Sequence, residues 1–186
     1  MKQSTAITIA TGVAAAALGG LFLYSRTSRP PVINRRVPEP AKPVDLARYL
    51  GTWFELARHE NRFQKGLDAV TADYSLEPSG RIRIVNKGRR RQTGESVAAQ
   101  GHAVVADEAT GAKLKVSFFG PLYTGDYWIL DRGEDYDWSI VGEPSGRYLW
   151  LLSRDAQPAA AVTQALLERV EALGYDRWAL RITSQG

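Results

Sequence analysis

The sequence predicts an all-β domain: an eight-stranded antiparallel up-and-down β-barrel, one C-terminal α-helix packed outside it, and an N-terminal transmembrane helix ahead of it. Three observations predict it. Apolar and polar residues alternate with period two from about Val44 to Arg154. Short turns rich in Gly, Pro, Asp and Ser interrupt that alternation at regular intervals. A single stretch after Pro158 changes to helical spacing. The 186 residues, 44% hydrophobic and 24% charged, leave one folded domain once the leader is set aside.

The elements follow in order. Thr5–Tyr24 is twenty residues without a charge, long enough to cross a hydrocarbon layer of ~30 Å, so residues 1–24 are expected to form a signal-anchor. Residues 25–43 hold five of the nine prolines and no apolar periodicity, which predicts an extended linker. Residues 44–186 form the domain. Its strands begin with Gly51–Arg58, then Val70, Ala72, Tyr74 and Leu76 alternate with polar neighbours. Gly80 turns the chain into Ile82–Ile84, and an Arg/Gly-rich tip returns it through Val97, Ala99, Gly101, Ala103 and Val105. Leu114, Val116 and Phe118 mark a fifth strand, Tyr127, Ile129 and Asp131 a sixth, Trp138 and Ile140 a seventh, and Tyr148, Trp150, Leu152 and Arg154 an eighth. Pro158 suits the start of the helix and Gly174 its end, with Val162, Ala165, Leu166, Val170 and Leu173 on one face. That face is expected against Leu149 and Leu151, and Trp178–Ile182 adds edge pairing.

Charge and composition exclude several classes. The formal charge of +4 resides in residues 1–43, which carry +5, whereas the remainder carries −1, so the domain is no polyanion binder by bulk charge. Arg89-Arg90-Arg91 is the local exception, a solvated tip or a contact for anionic headgroups. With no cysteine, disulfides, thiolate metal sites and Cys nucleophiles are absent. His59 and His102 stand alone and are expected to be solvated. No phosphate loop, dinucleotide fingerprint or Gly-x-Ser-x-Gly elbow is present, and no cofactor or metal is expected.

Eight strands expose two edges unless the sheet closes, and closure leaves an interior that is filled or holds one small ligand. The strand parity places Val70, Ala72, Tyr74, Ile84, Val97, Val116, Phe118, Tyr127, Ile129, Trp138, Tyr148 and Trp150 on the inner wall as candidate ligand contacts, with Trp53 among them. Aromatic and aliphatic walls suit an apolar guest oriented by a few hydroxyl or indole donors. Glu55 follows Trp53 on the same face and is expected to pair with an arginine.

Gly51-Thr52-Trp53-Phe54-Glu55 resembles the Gly-x-Trp signature of the lipocalins, and Leu149–Arg154 resembles the family's last-strand motif ending in Arg. Arg48–Trp53, Leu114–Pro121 and Tyr148–Arg154 are similar to the bacterial branch of that family, itself similar to apolipoprotein D. The resemblance covers about residues 45–182. It implies a barrel whose closed end is sealed by Arg154 laid over Trp53, with Gly51, Trp53, Asp131 and Arg154 as the structural motif. Two departures stand out: Leu130-Asp131-Arg132 replaces the usual Thr-Asp-Tyr, and the lipid-bearing N-terminal Cys of the bacterial branch is absent.

The function expected is therefore a membrane-tethered binder of a fatty acid or lysophospholipid, active in lipid transport, storage or envelope maintenance and not an enzyme. The partners expected are a hydrophobic small molecule or lipid and a membrane, with no nucleic acid; a homodimer is compatible. The resemblance places the domain in the cell envelope on the periplasmic side, and the missing Cys favours the inner membrane. The positive-inside rule, with Lys2 before the segment and Arg26, Arg29, Arg35 and Arg36 after it, taken alone would leave the domain cytoplasmic. Two alternatives stay open: an enzyme of the same fold acting on an apolar substrate, and a solid barrel whose outer face docks a partner.

Overall fold

The computed structural model describes residues 29–186; the expected transmembrane helix lies outside the described residues. A short helix α1 (Leu46–Tyr49), capped by the Asp45 side chain, precedes β1 (Gly51–His59). Then follow β2 (Leu67–Leu76), β3 (Ile82–Arg90), β4 (Ser96–Val105), β5 (Lys113–Ser117), β6 (Gly125–Arg132), β7 (Trp138–Gly142) and β8 (Leu149–Ser153). Helix α2 (Ala160–Ala172), a 3₁₀ turn at Arg177–Ala179 and β9 (Leu180–Ile182) complete the chain. Each barrel strand pairs antiparallel with the next, and β8 and β2 both pair with β1, so the eight expected strands close into a barrel.

The closure is stitched by the C-terminus. β1 pairs with β2 only over Gly51–Phe54, and β9 takes the place of β2 along Ala57–His59. Between them the Ala69 amide donates to the Ser184 carbonyl at 2.7 Å, and Gln185 Nε2 donates to the carbonyls of Glu55 and Val70. Backbone groups that an open seam would leave unpaired are thus satisfied. The final segment is more than the edge pairing expected of it.

Two apolar cores flank the wall. The inner one gathers Trp53, Tyr74, Ile84, Leu114, Ile129, Val141 and Leu152 among others. The outer one lies between α2 and the wall, where Leu166 and Val170 meet Leu56, Ile140, Leu149 and Leu151. The helix therefore packs where expected, but on a narrower stripe: Val162 and Ala165 are exposed.

The sequence-based parity fails at β7. Trp138 and Ile140 belong to the outer core, and Ser139 and Val141 face the barrel. A bulge in β6, between Ile129 and Asp131, puts Leu130 and Asp131 on the same outer face. Because α2 makes the outer face of β7 apolar too, hydrophobicity does not distinguish its two sides.

The Pro-rich stretch lies along the barrel. Near the β7–β8 turn, Arg147 Nη1 donates to the Pro30 carbonyl and the Ile33 amide to the Gly146 carbonyl. Ile33 and Val37 pack into the outer core, and at the other end Val44 donates to the Thr110 carbonyl.

Asp131 ties this outer layer together. It is 2% exposed, accepts from Arg169 Nε of α2 at 2.5 Å and lies 3.7 Å from Lys42 Nζ. Replacing it removes a charge-assisted bond without burying an orphan cation, since Arg169 is half-exposed. Asp131→Ala is expected to lower unfolding free energy by about 2 kcal/mol in urea titrations, with barrel circular dichroism retained.

Candidate ligand-binding barrel

The floor of the barrel is built around β1. Trp53 is fully buried, and its indole Nε1 donates to the Tyr49 carbonyl at 2.9 Å. The Arg154 guanidinium lies 3.8 Å from the Trp53 ring centroid and donates to the carbonyls of Thr52 and Leu50 at 2.7 Å. It also reaches the carbonyls of Arg48, Tyr49 and Tyr136. One planar cation thus stacks on the ring and gathers the carbonyls that end α1, which a lysine lacks the donors to do. Gly51 makes room for it: a Cβ there would stand 3.3 Å from Arg154 Nη1.

Above Trp53, three phenols form a hydroxyl chain. Tyr127 Oη lies 2.9 Å from Tyr49 Oη and 2.8 Å from Tyr74 Oη, and Tyr49 Oη lies 3.2 Å from Ser139 Oγ. Burial pushes the Tyr49 phenol up to about 12, against the hydrogen bonds from Ser139 and Tyr127 that lower it. Burial also raises Tyr74 and Tyr127. Neutral, mutually bonded phenols give the base of the barrel a polar patch without charge.

The upper half differs from the packed floor. Ala72, Asn86 and Ala99 form the ladder above Trp53 on the inner wall; Ala72 and Asn86 are half-buried and Ala99 is exposed. Val97, Val116, Phe118, Tyr127 and Trp150 are likewise only half-buried on that wall. The inner wall is thus incompletely covered from the mouth down to Tyr127, whose phenol itself is buried. Gly101 preserves this space for an aromatic, since a Cβ there would lie 2.7 Å from the Phe118 ring.

A second polar group sits near the mouth. A bulge in β1 sends Leu56 and Ala57 to the outer core, which leaves both Glu55 and Arg58 facing in. They pair at 2.6 Å, with Arg58 fully buried. Gln64, in the loop between β1 and β2, donates to Glu55 Oε2 at 2.7 Å and accepts from the Trp150 indole at 2.7 Å. Tyr148 stacks on Trp150 with ring centroids 5.9 Å apart. The expected Glu55–arginine pair is present, while Arg58 and Gln64 were missed: strict alternation puts Arg58 outside, and a loop glutamine carries no sequence signal.

The structure brings Ala72, Tyr74, Ile84, Val116, Phe118, Tyr127, Ile129 and Trp150 together around the inner core. Val70 and Val97 lie outside that cluster, beside Gly88 toward the mouth: Val70 packs against it, and Val97 pairs with it. Trp138 is not among them, being in the outer core. His59, expected to be solvated, is buried, with Nδ1 2.5 Å from the Arg147 carbonyl, so this nitrogen carries the proton. His102 lies 3.3 Å from Glu77 and is half-buried.

Residues 44–185 match the family model described as Lipocalin-like domain. The chain belongs to the lipocalin family. It is 40% identical over 145 residues to the outer membrane lipoprotein Blc of Vibrio cholerae, covering 75% of this chain and 84% of that one. Apolipoprotein D of Cavia porcellus is 30% identical over 149 residues, covering 80% of this chain and 72% of that one. Among solved structures, the cockroach allergen Per a 4 superposes with a TM-score of 0.62 at 19% identity, covering 83% of this chain and 96% of that one. The resemblance to the bacterial branch, read from the motifs, holds. In this lipocalin the departure at Leu130-Asp131-Arg132 is structurally accommodated: Asp131 holds α2, and the Arg132 guanidinium donates to the Pro43 carbonyl and stacks 4.2 Å from the Tyr136 ring centroid.

The phenol chain makes this lipocalin sensitive to alkali. An unfolded tyrosine ionises near its ordinary 10.0, whereas Tyr49 holds its proton to about 12 in the fold. Between those values the unfolded chain binds fewer protons, so stability is intact below pH 10 and falls as pH rises through 10 and past 12. Tyrosinate absorbance at stepped pH is expected to show Tyr49, Tyr74 and Tyr127 titrating only together with loss of the fold.

Proposed function

We propose that this lipocalin binds one small hydrophobic ligand, a fatty acid or a lysophospholipid, in the upper half of its barrel. One observation carries the reading: above a floor sealed by Trp53, Arg154 and the tyrosines, the inner wall of Ala72, Val97, Ala99, Val116, Phe118 and Trp150 keeps its apolar side chains partly open. Inner positions this exposed do not belong to a filled core. Burying a dozen methylenes at ~0.8 kcal/mol each supplies about 10 kcal/mol before immobilisation costs, enough for micromolar binding or better.

Polar groups lie at both ends of this space. The phenol chain lies below, while Gln64, Trp150 and Tyr148 lie above and suit a carboxylate or phosphodiester headgroup near solvent. Binding is favoured over catalysis because Glu55, the inner-wall acid, has its oxygens taken by Arg58, Thr183 and Gln64. Its place in the chemistry of the site is structural.

The domain is assigned to the cell envelope, tethered by Thr5–Tyr24 and serving lipid transport, storage or envelope maintenance. The outer membrane lipoprotein relatives support the envelope, and with no cysteine in the sequence to carry a lipid the tether falls to the apolar segment.

Titrating a long-chain fatty acid or a lysophospholipid is expected to change the tryptophan emission with saturation at micromolar concentration. Ala99→Trp, at an exposed position of the inner wall, is expected to weaken binding at least tenfold, about 1.4 kcal/mol or more, while unfolding stability stays within about 1 kcal/mol of the parent. Unchanged affinity in Ala99→Trp, or no response to either ligand class, overturns the assignment.

A further inference from the structure

The two ends of the barrel carry opposite charge. The mouth is formed by four turns and the tip of β3 that leads into one of them: residues 60–66, 89–95, 118–124 and 143–148. They hold Arg62, Lys65, Arg89, Arg90, Arg91 and Arg147 against Glu60, Glu95 and Glu143, a net charge of +3. The opposite turns, residues 77–81, 106–112 and 133–137, hold six acids against Arg81, a net charge of −5. Adding Lys42, Arg48, Arg132, Arg154, Asp45 and Asp155, which lie beside them, leaves that end at −3. A domain with almost no net charge is thus strongly polarised along its axis.

Exposed apolar side chains crowd the positive end. Phe63 in the first mouth turn is 59% exposed, and Phe119 and Leu122 in the third are 55% and 70% exposed. That third turn, Phe118 to Thr124, carries no charge. Trp178, 80% exposed, stands just before β9, whose first residue Leu180 pairs with His59 at the mouth end of β1. Between Glu60, Lys65, Gly66 and Arg90–Thr93 opens a cleft of about 620 Å³ in which three cations face one carboxylate. Of the ion pairs there, Arg90 with Glu95 at 2.9 Å is exposed on both sides and exchanges readily for another anion, whereas the exposed Arg91 lies 3.5 Å from Asp68, which is half-buried and also held by Arg181.

The described chain also enters at this end. Pro30 is held by Arg147 of the fourth mouth turn, and residues 30–44 then run down the wall to the negative end. If Thr5–Tyr24 is the tether, only the four residues 25–28 separate it from Arg29, a span of at most about 18 Å for five fully extended steps. The packed proline stretch does not act as a spacer.

We propose that the rim of the barrel mouth docks face-on onto an anionic lipid bilayer, with the arginines and Lys65 on the headgroups and Phe63, Phe119, Leu122 and Trp178 in the interface. The orientation presents the open lumen to the lipid and turns the acidic end away. Electrostatic attraction and shallow apolar insertion act in the same direction, as in other interfacial anchors. The proposal takes the tether from the function assigned above for one of its three observations; the charge polarity and the exposed rim stand without it.

The absence of cysteine permits a direct test on the full chain reconstituted with vesicles. Single cysteines introduced as Phe63→Cys, Leu122→Cys and, at the acidic end, Leu76→Cys are labelled with an environment-sensitive thiol dye. With phosphatidylcholine vesicles containing phosphatidylglycerol, the labels at 63 and 122 are expected to shift to the blue and lose accessibility to iodide, while the label at 76 stays aqueous. High salt, or Arg89→Glu combined with Arg91→Glu, is expected to reverse the shift, and pure phosphatidylcholine vesicles to give much less of it. Water-like labels at 63 and 122 on anionic vesicles, or an equal shift at 76, overturn the proposal. Fatty-acid titration of the same labelled proteins without vesicles reports ligand binding separately, so loss of one reading is not taken for loss of the other.

Discussion

The structure depends on sealing one end of the barrel and not the other. Trp53 and Arg154 carry that asymmetry: a buried ring capped by a guanidinium that also collects carbonyls from Arg48, Tyr49, Leu50, Thr52 and Tyr136. An apolar plug would close the floor equally well against water but would leave the carbonyls at the end of α1 without donors. With the floor fixed, the three tyrosines lie above it as neutral, hydrogen-bonded phenols. Above them small inner residues such as Ala72 and Ala99 on one side of the barrel face half-buried aromatics such as Phe118 and Trp150 on the other, and the upper half stays incompletely filled.

The outer layer supports the same asymmetry from outside. Helix α2 and residues 30–44 both lie on the wall formed by β6, β7 and β8, and Asp131 joins them through Arg169 and Lys42. Among the described residues, none covers the wall made by β2, β3 and β4 in this way. Its outer face carries Thr71, Lys87, Arg89 and Ser96, and its inner face carries small or half-buried residues such as Ala72 and Ala99. The barrel is therefore rigidified on one side and thinly lined on the other, and the seam between β1 and β2 is held by the chain's last residues.

Much of this was legible in the sequence, and the exceptions share a cause. The strands, their order and the helix followed from period two, turn residues and one helical stripe, because each barrel strand with one wet face writes that contrast into its residues. Trp53, Arg154 and Glu55 fell on the right face for the same reason. Trp138 did not, because a helix covers the outside of β7 and both of its faces are apolar, while the β6 bulge shifts the register. Arg58 was invisible for the parallel reason that the β1 bulge reverses parity within the strand, and Gln64 because a loop side chain is placed by tertiary packing alone. Bulges leave no mark in an apolar pattern, and here they set which charges face the lumen.

The central claim is that the partly open inner wall, and no other apolar surface, receives the ligand. Methyl chemical-shift mapping during titration with a long-chain fatty acid tests it most directly. The account predicts saturable shifts at the methyls of Ile84, Val97 and Val116 on the inner wall, with Ile140, Leu149, Leu151 and Val170 beneath the helix unmoved. Shifts centred on the helix-covered methyls, or none on the inner wall at saturating ligand, would contradict it.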